Sequence, residues 1–121
     1  MIEIIEMRDI KGYEGEYAVT KSGLVWSYKR NKFLKLNDNG IGYLYVALCH
    51  GGIRQQKYIH RIVAEAFIPN PDNLPEINHK DEDKSNNCVD NLEWITHIDN
   101  LNYGTRNKRI SSSQLSKNFS K

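Results

Sequence analysis

Residues 76–100 read Glu76-Ile-Asn-His-Lys-Asp-Glu-Asp-Lys-Ser-Asn-Asn-Cys-Val-Asp-Asn-Leu-Glu-Trp-Ile-Thr-His-Ile-Asp-Asn100. Ile77 and Val89 stand isolated among polar residues, and Leu92, Trp94 and Ile95 mark a second short strand. Thr96 is placed to cap a following helix, with Asp99 at its third position as an imperfect capping box. The order predicted is strand, polar loop, strand, helix. Asn78 and His79 sit together on it, with Asn91 twelve residues after His79 and Asn100 twenty-one after.

Immediately upstream, Ile59, Ile62, Val63, Ala66 and Phe67 recur at helical spacing, which predicts an amphipathic helix. It ends at Ile68-Pro69, because the residue before proline is driven out of helical geometry. His60, Arg61 and Glu65 fall on its polar side. Arg61 suits either a phosphate contact or a surface pair with Glu65 four residues on. Residues 70–75 carry two prolines and form a stiff loop.

Further back, Tyr17 and Val19 alternate as in a strand, Ser22-Gly23 signals a turn, and Leu24 to Tyr28 resumes a strand, so 17–28 reads as a tight hairpin. Asn37-Asp38-Asn39-Gly40 is a strong turn, with strands expected over 43–48 and 54–59. The first half is therefore read as one small antiparallel sheet of four or five strands. Lys29, Arg30, Lys32 and Lys35, interleaved with aromatic residues, are the best candidates for a DNA-facing surface.

The 121 residues suit one compact domain or two small modules sharing a core. Mean hydropathy is −0.67 and no apolar run approaches the ~18 residues of a membrane span. The acidic amino terminus predicts no signal peptide, so a cytoplasmic location is expected. Cys49 and Cys88 are far apart with no CxxC, which argues against structural zinc or a disulfide framework. Net charge is only +2, but it alternates: −3 over residues 1–20, +7 over 21–61, −7 over 62–100 and +5 over 101–121. Two basic segments around an acidic block suit a polyanion and a cation-attracting centre, or simply a solvated surface.

Residues 60–100, with His60-Arg-Ile-Val-Ala-Glu-Ala-Phe-Ile-Pro-Asn-Pro, Ile77-Asn-His-Lys-Asp, Lys84-Ser-Asn-Asn and Asn91-Leu-Glu-Trp-Ile-Thr, closely resemble the HNH domain of phage homing endonucleases. Residues 9–28, with Gly12-Tyr-Glu-Gly, Tyr17-Ala-Val-Thr and Ser22-Gly-Leu-Val, resemble the small module that often precedes it, although that module often has Trp near Arg8. The resemblance implies an α+β fold: residues 1–58 a small antiparallel β module that contacts DNA, 59–104 a ββα-metal nuclease domain, and 105–121 a basic tail. By position it makes His79 the general base and Asn91 the loop residue that holds the ribbon and orients His79. Asn78 and Asn100 become ligands of one divalent cation, Mg²⁺ or Mn²⁺, with double-stranded DNA as partner and a monomer or dimer as the assembly. Several members have Asp where Asn78 stands. Arg61, Arg106, Lys108 and Arg109 join the candidate DNA contacts. Longer members add a carboxyl-terminal helix-turn-helix; none is expected in a sequence this short, so either lower site specificity or specificity borrowed from a partner is expected.

The chemistry is self-consistent. A neutral imidazole can take a proton from water near neutral pH, and a hard cation held by oxygens offsets phosphate charge. Two asparagine carbonyls form a thin, neutral cage, so cation affinity without DNA should be weak. The competing expectation is a DNA-binding module with a degenerate nuclease centre; action on RNA is a third.

Overall fold

The structure, a computed structural model, describes residues 6–103. It is α+β, with nine strands, two short helices and one 3₁₀ turn among the described residues. The expected hairpin is present as β2 (Tyr17–Thr20) and β3 (Val25–Ser27). Its turn closes when the Leu24 amide donates to the Thr20 hydroxyl at 3.0 Å. Gly23 sits at φ +93°, and a Cβ there would lie 3.2 Å from Asn87 Cβ and 3.2 Å from Ile59 Cγ2. Glycine is needed at this position both for its conformation and for that close approach.

The single sheet expected of the first half is in fact two. β1 (Met7–Asp9) and β4 (Lys32–Phe33) flank the hairpin to give a four-stranded antiparallel sheet in the order β1-β2-β3-β4. β5 (Asn37–Asp38), β6 (Leu44–His50) and β7 (Ile53–Tyr58) form a separate three-stranded one. The break falls at Leu34-Lys35-Leu36, which belongs to neither sheet although both leucines pack against the core. Asn37-Asp38 is consequently strand, and the turn forms just after it, with Asp38 Oδ1 accepting from the amides of Gly40 at 2.7 Å and Gly42 at 3.3 Å.

Helix α1 (Ile59–Phe67) buries Ile59, Ile62, Val63 and Ala64, and Ala66 and Phe67 pack at the margin. It lies against strands of both sheets and against the ribbon of β8 (Glu76–His79) and β9 (Leu92–Ile95). One cluster therefore joins Tyr13, Val19 and Val25 to Val46 and Leu48 and to Ile77 and Leu92. At the helix's end, Arg8 Nη1 donates to Ala66 O at 2.9 Å and Trp94 Nε1 to Ile68 O at 3.0 Å. Those bonds satisfy carbonyls that a helix end leaves unpaired.

β8 and β9 are antiparallel, with Asn78 opposite Glu93 and His79 opposite Leu92. The 3₁₀ turn Val89–Asn91 leads into β9. α2 (His97–Leu101) follows, and the Asp99 amide donates to the Thr96 hydroxyl at 3.1 Å, the cap that the sequence predicts. No helix among the described residues is long and apolar enough to cross a membrane.

Candidate active site

Strand alternation divides the key residues between two faces of the ribbon. Glu76 and Asn78 share one face, and Ile77 and His79 the other. His79 is only 6% exposed. Its Nε2 lies 2.8 Å from Asn87 Oδ1, an acceptor, which makes Nε2 the donor and, in the neutral tautomer, leaves the lone pair on Nδ1. Its ring is flanked by His60 at 5.2 Å and Tyr43 at 6.1 Å between centroids. Burial above all, then the neighbouring His79 and Arg61, pushes the His60 pKa down to about 4. His60 is thus neutral at working pH and places no cation beside His79.

Asn91 fastens the loop between the strands. Its side-chain oxygen accepts from the Asp81 amide at 3.0 Å, and its side-chain nitrogen donates to Asp81 Oδ1 and Asn86 O, each at 2.9 Å. Its carbonyl accepts from the Lys80 amide at 2.8 Å, next to His79. Asn91 therefore holds the ribbon's backbone, while the hydrogen bond to the imidazole comes from Asn87. The hairpin β2–β3 backs this loop: the Val89 amide donates to Lys21 O at 2.8 Å, and Gly23 abuts Asn87.

On the opposite face, Asn78 Nδ2 donates to Glu93 Oε2 at 2.7 Å. Asn100 Nδ2 donates to Glu76 Oε1 at 2.9 Å, and Glu76 Oε2 lies 2.6 Å from His97 Nδ1. The hydrogen bonds from Asn100 and then His97 lower the Glu76 pKa. With each amide nitrogen turned to a carboxylate, the amide oxygens of Asn78 and Asn100 are turned elsewhere. Among the described residues no group of three or more His, Cys, Asp or Glu side chains is set to hold a metal ion. Two amide oxygens backed by carboxylates would suit one hard cation that keeps waters and borrows substrate oxygens.

Asp81, Glu82 and Asp83 are exposed. Asp81 has its pKa lowered first by the Asn86 hydrogen bond, and it serves the loop's own network.

Residues 57–102 match the HNH endonuclease family and residues 8–49 match the NUMOD4 motif. The chain carries an HNH domain joined to a NUMOD4 motif. An uncharacterized HNH endonuclease of Acanthamoeba polyphaga mimivirus is 44% identical over 70% of this chain, which covers 26% of that protein. The DNA endonuclease I-HmuI of Bacillus phage SP01 is 39% identical over 80% of this chain, which covers 56% of it. A solved structure of I-HmuI, described as DNA binding and cleavage by an HNH homing endonuclease, superposes with a TM-score of 0.76 at 36% identity. That match covers 93% of this chain and 62% of the I-HmuI chain. The chain thus spans only part of the length of these relatives.

Asn78, His79, Asn91 and Asn100 all fall in the ββα segment, Asn78 and Asn100 with the carboxylates on one face of the ribbon and His79 with Asn87 on the other. Lys29, Arg30, Lys32 and Lys35 are exposed on β4 and the segments flanking it, at an edge of the NUMOD4 sheet. Arg61 is occupied by the fold itself: it donates to Pro75 O at 3.3 Å, lies 3.9 Å from Glu65 and packs 5.8 Å from the Trp94 ring. Arg106, Lys108 and Arg109 lie outside the described residues. Sequence reasoning assigned no role to Asn87, Glu76, Glu93, Tyr43 or the burial of His60. Strand alternation could have placed Glu76 beside Asn78, but nothing local separates Asn87 from Asn86.

Proposed function

We propose that the chain is an endonuclease that hydrolyses DNA phosphodiester bonds with His79 as general base and one divalent cation, Mg²⁺ or Mn²⁺. The observation that carries this reading is the His79–Asn87 hydrogen bond. An imidazole that donates through Nε2 presents the lone pair of Nδ1, as a base must. Water gives its proton to His79 Nδ1 as its oxygen attacks phosphorus. Asn87 holds the ring in that tautomer and steadies the imidazolium that forms. Asn91 keeps the loop and the backbone beside His79 in register. Asn78 and Asn100 would hold the cation through their amide oxygens, and the bound cation supplies electrostatic stabilisation of the phosphate and of the departing oxygen.

Double-stranded DNA is the proposed substrate, in keeping with the DNA cleavage described for I-HmuI. The exposed cations Lys29, Arg30, Lys32 and Lys35 are proposed to meet its phosphates. One His79 centre per chain favours nicking over double-strand cleavage. The test is conversion of supercoiled plasmid to open circles with Mg²⁺ or Mn²⁺, with EDTA and with an RNA competitor. Cation-dependent nicking that EDTA abolishes and RNA leaves intact is the expected result. Salt-dependent DNA binding without nicking in any cation would replace this reading with that of a binding module.

A further inference from the structure

We propose that Glu93 and Glu76 are positioning residues for the cation: each turns one asparagine oxygen toward it, and together they supply the negative charge that two amides lack. The inference rests on the nuclease reading above and assigns residues that it does not use.

The geometry is specific. Asn78 is 5% exposed, and its side-chain nitrogen is 2.7 Å from Glu93 Oε2, the carboxylate directly across the ribbon. Asn100 reaches from α2 to Glu76 Oε1 at 2.9 Å. Glu76 and Asn78 are two apart on one strand, so both carboxylates serve the same face. In a planar amide the oxygen and the nitrogen branch from one carbon, so an asparagine whose nitrogen is held has the direction of its oxygen fixed as well. The same logic governs outer partners that orient the ligands of metal sites.

Charge adds a second argument. Satisfying a buried amide nitrogen needs only a neutral acceptor, and a glutamine would serve. Two anions on one face repel each other, so the fold alone gains little from using carboxylates. His97 lies against Glu76. Glu93, by contrast, forms no ion pair with any described residue, although it is half-buried. A cation held by the two asparagines would offset that charge. The cage is therefore not neutral: its charge stands one bond behind the ligands.

The test uses the full chain and Mn²⁺ alone, reading the paramagnetic broadening of the Asn78 and Asn100 side-chain amide signals as Mn²⁺ is added. Glu93→Ala and Glu76→Ala are expected to need about 10–100 times more Mn²⁺ than wild type. Glu93→Gln, which keeps an acceptor for Asn78 but removes the charge, should fall between wild type and Glu93→Ala. Glu65→Gln should titrate as wild type does. Folded alanine variants that titrate like wild type would overturn the inference and leave the nuclease reading intact. If the alanine variants do not fold, Glu93→Gln decides, and an unchanged titration overturns the charge role. Wild type that shows no broadening at either asparagine would overturn the cation reading and this inference together.

Discussion

Replacing His60 with phenylalanine should make the protein more resistant to acid. In the folded chain the His60 imidazole titrates at about 4 because burial disfavours its charged form, whereas 6.5 is its ordinary value. Above pH 6.5 both states hold it neutral and its titration costs nothing. Between 6.5 and 4 the unfolded chain takes up a proton that the folded chain refuses, so stability falls as the pH falls. At about 1.36 kcal/mol for each pH unit, the loss approaches about 3 kcal/mol at pH 4 and about 2 kcal/mol at pH 5. The ring is half-buried and not sealed, so screening brings the expected loss at pH 4 nearer to about 2 kcal/mol.

The groups facing His60 are His79 on β8, Tyr43, Tyr58 and its own neighbour Arg61. Phenylalanine preserves the packing, and since Nδ1 is buried with no hydrogen-bond partner it forfeits no bond there. The assay is urea unfolding of both proteins from pH 7 to 4. The variant's advantage should be smallest at pH 7 and widen steadily toward pH 4. Parallel stability curves would refute the reasoning.

Three further outcomes follow from the same structure. Gly23→Ala places a Cβ 3.2 Å from both Asn87 and Ile59 at a backbone angle that alanine adopts with strain; thermal unfolding should show a loss of about 1–3 kcal/mol. Asn87→Ala strands His79 Nε2 in a buried site; it should cost about 1–3 kcal/mol in stability and lower the single-turnover cleavage rate while DNA affinity holds. Replacing Lys29, Arg30, Lys32 and Lys35 together with alanine should weaken DNA binding at all sequences. Its salt dependence, read by fluorescence anisotropy, should flatten by about 0.9 in log–log slope for each phosphate left unneutralised; an unchanged slope would remove these residues from the interface.

Local chemistry made much of the fold legible. The Thr96 cap, the Ser22-Gly23 turn and the helical spacing of Ile59, Ile62, Val63, Ala66 and Phe67 each act within a few residues, and each appears where the sequence puts it. The split into two sheets was not legible, because it depends on Leu34 and Leu36 reaching a core built largely from residues elsewhere in the chain. His60 looked like a polar-face residue of α1. Its burial comes from Tyr43, Tyr58 and His79, which periodicity along one helix cannot reveal. Adjacent strand residues point to opposite faces, and Asn78 and His79 do so here: Asn78 meets Glu93 on one side and His79 meets Asn87 on the other. Asn87 in turn rests on Gly23, sixty-four positions earlier, so the NUMOD4 hairpin supports the HNH loop through an approach that no short motif encodes.

The central claim, that His79 takes the proton from the attacking water, is tested most directly by the single-turnover nicking rate of His79→Ala in saturating Mn²⁺. The rate should fall by about 10²–10⁴ while the variant stays folded and binds DNA as wild type does. A folded His79→Ala that nicks at the wild-type rate would contradict the account.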